Sequence, residues 1–276
     1  MNFFLQFYKN NFFIKSVNYG FTLISIYFLF EKIKVIKISS INNPGLGFAI
    51  IFIFLIFLSQ FSQAYAWTYF FEYELNKKVL YSWLNSNFAK YIPFKIGVLF
   101  KRYSLLKQYS NKLSLKTVSK KFTFEQIIIV SCSLVISISY FFSNIYYFSI
   151  TFTIITLIFY LSNFESSTKK RITFYFFSQY LNLLALYILS FAVFNLEITN
   201  LKIAAIYTFS SILSLFIVTA PAGLGVREAL FLYFLNTNQF INEITVYIVL
   251  VRVFTLISDL LIYFVSLLIN KINNNL

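Results

Sequence analysis

Hydrophobic residues in this chain gather into blocks of membrane-spanning length, not into the narrow stripes of a soluble core. About 20 mainly apolar residues cross the hydrocarbon of a bilayer as one helix. Blocks of that kind run at Gly47–Phe71, Ile172–Phe194, Ile203–Ala220 and Ile244–Ile269, with a shorter one near Val17–Phe30. Gln126–Phe142 and Ile145–Leu161 read as a helical hairpin turned at Ser143-Asn144. Val226–Leu235 reads as a short piece that follows a Pro/Gly interruption. The pattern predicts an all-α, polytopic transmembrane helix bundle of about seven or eight segments, forming one integral membrane domain over residues 1–276.

The polar intervals set the expected direction of crossing. Glu72–Phe124 carries eleven Lys/Arg against Glu72 and Glu74. Cytoplasmic loops hold the excess of Lys and Arg, so residues 72–124 are expected to be cytoplasmic. Lys169-Lys170-Arg171 then returns to the same side, and Lys271 leaves the C-terminus there too. Both termini are expected in the cytoplasm. Lys32, Lys34 and Lys37 run against the rule, because they fall on the outer side. Lys9 and Lys15 before the first apolar stretch, with no small-residue cleavage site, read as an uncleaved anchor.

Within the basic interval, Ile96, Leu99, Phe100, Tyr103 and Leu106 recur at helical spacing, flanked by Lys95, Lys101, Arg102 and Lys107. Val79, Leu80, Trp83, Leu84 and Phe88 repeat the pattern upstream, and Pro93 separates the two pieces. Such amphipathic helices lie in the headgroup layer. Lys95 and Arg102 suit a lipid phosphate; a solvated basic face that only anchors the protein is the alternative.

Composition narrows the chemistry. Hydrophobic residues make up 59%, aromatics 22% and charged residues 12%, which leaves lipid as the solvent for much of the chain. There is no histidine, and the one cysteine, Cys132, sits in an apolar run as inert filling. No metal site, disulfide, Cys–His nucleophile or cofactor is expected. Asp259 is the sole aspartate, so no Asp-x-Asp clamp exists, and no P-loop motif occurs. The net charge of +14 lies between apolar spans, which points to anionic lipid and topology control, not to nucleic acid.

Two charges fall where lipid should be. Arg252 and Asp259 lie near the centre of the last block, each costing about 2.5–3.5 kcal/mol if left facing lipid. They share a helix face but are separated by roughly 10.5 Å of rise, so each needs its own partner, a wet cavity or a ligand. An ion pair of Arg252 with Glu228 is the plain alternative to a substrate site. The second signal is Thr219-Ala220-Pro221-Ala222-Gly223-Leu224-Gly225-Val226-Arg227-Glu228. Its proline and glycines end one helix and free backbone groups for the start of the next, as in the broken or re-entrant helices of transporters. A tight turn between helices is the alternative. Glu125 reads as a first-turn carboxylate opposing a helix dipole, and Trp67 and Trp83 as interfacial belts.

Pro221-Ala222-Gly223-Leu224-Gly225-Val226-Arg227-Glu228 resembles the Pro-Gly-Gly-Leu-Gly-x-x-Glu signature of the lysylphosphatidylglycerol synthase transmembrane-region family. Tyr91-Ile92-Pro93-Phe94-Lys95 followed by Arg102 is similar to its Tyr-x-Pro-Gly-Lys…Arg segment, and Arg252 matches a recurrent arginine. Ala222 and Phe94 replace glycines of the pattern. The resemblance implies a flippase-like protein for an anionic or glycan-bearing lipid, in the inner (plasma) membrane, taking part in cell-envelope biogenesis. The phospholipid or polyprenyl-linked substrate would meet Lys95, Arg102, Gly223, Gly225, Arg227, Glu228, Arg252 and Asp259. The soluble aminoacyl-transferring domain of two-part relatives has no counterpart interval here, so lysyl-lipid synthesis by this chain is not expected. A membrane enzyme acting on polyprenyl-phosphate glycans, with Glu228, Glu125 or Asp259 as base, is a second reading. A non-catalytic subunit of envelope-synthesis enzymes is a third.

Overall fold

The computed structural model describes residues 45–71, 76–91, 96–110, 113–141, 165–194, 197–215, 223, 225–235 and 241–274. Every regular element among them is helical: α1 (Leu46–Thr68), α2 (Asn76–Ser86), a 3-10 turn (Asn87–Tyr91), α3 (Ile96–Tyr109), α4 (Leu115–Phe141), α5 (Ser166–Phe194), α6 (Glu197–Leu215), α7 (Val226–Leu235) and α8 (Ile241–Asn274). Among the described residues, three helices are long and apolar enough to cross a membrane, Leu46–Thr68, Ser166–Phe194 and Glu243–Lys271, as expected of a membrane protein. Asn200–Leu215 is a shorter apolar helix. The block near Val17–Phe30 and the second arm of the hairpin, Ile145–Leu161, lie outside the described residues.

The helices turn their polar side chains inward. On α8, Arg252, Ser258, Asp259 and Ser266 are buried, while Leu256, Ile257, Leu260, Leu261, Phe264 and Leu268 are exposed. Lipid is as apolar as those exposed side chains, so helix association there depends on close packing and interhelical hydrogen bonds. The α1–α5 pair, the most extensive in the bundle, uses both. Ser59 donates to the Ser178 carbonyl and Ser62 to the Phe174 carbonyl, each at 2.9 Å, and the small Ala66 continues the same face one turn on. Around this seam the core is aromatic: Tyr207 packs edge-on against Phe231 and Tyr247, and Trp67 is fully buried.

Three sequence expectations are corrected. The basic interval does form two helices, but α2 lies against α8 and α1, with Val79 and Leu84 fully buried, and is part of the bundle. Trp67 and Trp83 are buried and form no belt, because Arg102 stacks on both rings from within. Helix α4 starts at Leu115, eleven residues ahead of the expected Gln126, so Glu125 sits in mid-helix and opposes no helix dipole. Lys116, Lys120 and Lys121 hid that start by making its first turns look like loop.

Between α6 and α7, Gly223 and Gly225 adopt φ of 70° and 79°. Left-handed backbone costs a residue with a Cβ about 1–2 kcal/mol. A Cβ on Gly223 would also stand 2.6 Å from Ser214 Oγ, whereas one on Gly225 meets nothing within 4 Å. Gly223→Ala is therefore expected to lower the apparent melting temperature in detergent clearly more than Gly225→Ala. Equal shifts would show that backbone strain alone matters at this turn.

Candidate functional site

Each buried charge in the bundle is met by a partner from another element, and the partners surround one cavity. Asp259 on α8 is almost fully buried and accepts four hydrogen bonds. Gln60 Nε2 of α1 and Lys90 Nζ of the 3-10 turn donate to Oδ1 at 2.8 Å, and Asn87 Nδ2 donates to the same oxygen at 3.3 Å. Tyr91 donates its hydroxyl to Oδ2 at 2.5 Å. Burial first, and then the charge of Asp259, push the Tyr91 hydroxyl well above its ordinary pKa, so it stays a donor.

A second cluster ties α3 to α4. The Arg102 guanidinium forms an ion pair with Glu125 and donates from Nε to Ser86 Oγ at 3.0 Å. It lies 4.6 Å from the Trp67 ring centroid, 5.1 Å from Trp83 and 5.3 Å from Phe122. Trp83 Nε1 donates to the other oxygen of Glu125 at 2.8 Å. A planar guanidinium suits this double use, since its edge makes hydrogen bonds while its faces stack on aromatic rings. In the third cluster, Arg252 of α8 approaches Glu228 of α7, with Nε to Oε1 at 2.7 Å and Nη2 to Oε1 at 2.5 Å. Nη2 also donates to the Gly223 carbonyl at 3.4 Å, so the glycine turn and the buried arginine are one unit.

Between these clusters lies a cavity of about 370 Å³. Lys90, Arg102, Arg227 and Arg252 line it, with Glu125 the one carboxylate on its wall among the described residues. Asp259 and Glu228 stand behind the wall as partners of lining cations. Among the described residues, counting those three acids against the four cations leaves one positive charge in excess. Uncharged polar groups join them, Gln60, Asn87, Gln179 and Asn182 with Ser and Thr hydroxyls from α4, α6 and α8, and apolar side chains such as Phe52, Ile56, Ile129 and Val251 form the larger part of the wall. A polar cavity of this size takes water or a small polar guest readily.

The structure therefore brings Arg102, Gly223, Arg227 and Arg252 to one cavity wall, and Glu228 and Asp259 directly behind it. Gly225 is exposed at the start of α7. Lys95 lies outside the described residues. Arg102, expected on the outer flank of an amphipathic helix, faces inward and is 3% exposed. Arg252 and Asp259 pair separately, as their separation along the helix requires. Lys90 and Gln60 were missed as members of this constellation, and Tyr91 and Glu125 were singled out only in other roles. For Gln60, an amide amid the apolar residues of α1, the expense of burying an uncompensated polar group was a usable signal. No family model, curated protein or solved structure matches the chain.

Breaking one partner of a buried ion pair costs about 3–5 kcal/mol, because the remaining charge is left uncompensated. Glu125→Leu is accordingly expected to destabilise the protein severely, and Glu125→Leu with Arg102→Met clearly less. A double-mutant cycle in detergent measures this, and additive losses would contradict a direct pair.

Proposed function

We propose that this protein is a lipid translocator of the lysylphosphatidylglycerol-synthase transmembrane type. It moves an anionic or glycan-bearing lipid across the plasma membrane in cell-envelope biogenesis. The carrying observation is a cavity with four lining cations inside a bundle whose outer faces are apolar. A headgroup sits in the cavity while its acyl chains stay in lipid, where each CH₂ keeps its roughly 0.8 kcal/mol of burial. Arg227 and Arg252 neutralise the phosphate beside the Gly223 turn, and Lys90 and Arg102 offer the charge that receives it on the way in. Glu228, Glu125 and Asp259 hold those cations in place.

In this reading the bundle has about seven or eight spanning segments, broken around residues 221–225, with both termini in the cytoplasm. Its substrate is a phospholipid or polyprenyl-linked lipid, and envelope-synthesis enzymes are its natural neighbours. With no P-loop motif in the sequence, movement follows the lipid's own gradient or an ion gradient. An enzymatic role is less favoured because two of the three candidate bases, Asp259 and Glu125, are committed, while Glu228 is engaged by Arg252, among the described residues, through Oε1 alone. A general base needs a free lone pair within hydrogen-bond reach of the substrate proton. Asp259 already takes four donors, and Glu125 is held between Arg102 and Trp83.

In reconstituted vesicles, labelled phosphatidylglycerol and labelled polyprenyl phosphate are to be scored for leaflet exchange and for chemical change. The wild type is expected to accelerate exchange of at least one without altering it. Arg252→Gln is expected to abolish exchange while the protein still inserts. Unimpaired exchange in that variant, or a chemically altered lipid, would contradict the assignment.

A further inference from the structure

The cavity wall carries more information than its charge. Ser133, Thr208, Ser211 and Thr255 line it, and each hydroxyl already spends its proton within the protein. Ser133 donates to Gln179 Oε1 at 2.9 Å and Thr208 to the Ala204 carbonyl at 2.9 Å. Ser211 donates to the Tyr207 carbonyl at 2.8 Å and Thr255 to the Val251 carbonyl at 2.6 Å. A hydroxyl has one hydrogen to give and two lone pairs to accept with. With the hydrogen committed, these oxygens can serve a guest only as acceptors.

The cations of the lining work in the opposite sense. Lys90, Arg102, Arg227 and Arg252 are pure donors and call for an anionic acceptor. A guest that satisfies both walls has an anion at one end and hydrogen-bond donors beside it. Lipid headgroups offer neutral donors, hydroxyl and amide, and a charged one, ammonium. An ammonium would enter a site where cations exceed carboxylates by one and where the carboxylates already serve those cations. Like charge close by in a low dielectric is strongly unfavourable. Hydroxyls carry no such penalty. The Tyr207 hydroxyl, buried on the same lining with no hydrogen-bond partner among the described residues, is a further polar group for such a guest to satisfy.

We infer that the cavity is specific for a phosphorylated polyol: the phosphate lies against the arginines, and neighbouring hydroxyls donate to the Ser/Thr wall of α4, α6 and α8. The same chemistry belongs to a phosphoglycerol lipid and to a phosphorylated sugar on a lipid carrier, and it excludes aminoacylated and ethanolamine headgroups. This assignment rests on the reading of the cavity as a headgroup site and narrows it to one substrate class.

Soluble headgroups test it apart from transport. Trp83 lies on the cavity lining, and it and Trp67 are the only tryptophans in the chain, so intrinsic fluorescence of the detergent-purified protein reports occupancy. Glycerol 1-phosphate is expected to bind about tenfold more tightly than inorganic phosphate, the gain of one or two hydrogen bonds, and phosphoethanolamine more weakly than glycerol 1-phosphate. Thr208→Val and Ser211→Ala, each made singly, should narrow the gap between glycerol 1-phosphate and inorganic phosphate to under about threefold. Equal binding of the two in the wild type, tighter binding of phosphoethanolamine, or an unchanged gap in both variants would overturn the inference. Vesicle exchange separates the two claims. Glycerol 1-phosphate preference without any lipid exchange refutes translocation and keeps the polyol site. Equal exchange of phosphatidylglycerol and phosphatidic acid, with equal binding of the soluble probes, refutes the polyol site and keeps translocation.

Discussion

A charge inside an apolar bundle must be neutralised, hydrated or matched, and this fold is organised around that requirement. Arg102 with Glu125 and Arg252 with Glu228 each join consecutive helices, and Lys90 with Asp259 joins two elements distant in sequence. The pairs at Asp259 and Glu125 are supported by neutral donors or aromatic faces, and Arg252 also donates to the Gly223 carbonyl, as buried ions need when most of their water is gone. Removing the water around one side chain therefore constrains several helices at once. The pair at Asp259 brings the 3-10 turn against α1 and α8, and the pair at Glu125 brings α3 against α4 and the tryptophans. The short helix α7 is tied to α8 through Glu228, and through Gly223 the preceding turn is tied as well.

These three pairs do not make a sealed core. They stand round a cavity whose largely apolar wall carries cations, amides and hydroxyls, while the outward faces of α1 and α8 are apolar. A bundle intended only to be stable would gain by replacing such pairs with packed hydrophobic residues of similar volume. Retaining four cations on the wall of an internal space has a ready use in holding an anion. The hydroxyls opposite, with their protons already engaged, give that space a second and different face.

The sequence revealed the coarse design because its physics is one-dimensional. Gly47–Phe71 and Ile172–Phe194 are apolar over a bilayer's length, and the corresponding helices α1 and α5 follow within a few residues. Val226–Leu235 was bounded by glycines and polar residues, and α7 has those same limits. Arg252 stood out because a lone cation in an apolar block has few explanations, and its pair with Glu228 had been recognised as one of them. What stayed hidden depends on three-dimensional neighbours. Nothing in the order of residues says that Arg102 turns inward onto Trp67 and Trp83, since the same helix also carries solvated lysines. Glu125 was misread because the basic first turns of α4 resembled a loop. Lys90 sat in a basic interval where one more cation carried no signal, and Tyr91 stood out only as part of a family-like segment; the approach of Asp259 gives both a structural role.

The central claim is that water and anions reach this space from solution. With Cys132 replaced by alanine, a single cysteine at Ser211 can be treated with an anionic sulfonate and a cationic trimethylammonium methanethiosulfonate, each rate normalised to a free thiol. The account predicts that both reagents modify Ser211→Cys in membranes, the anionic one relatively faster, while the lipid-facing control Val253→Cys stays unmodified. Silence at Ser211→Cys equal to that at Val253→Cys, or a relative preference for the cation, would contradict it.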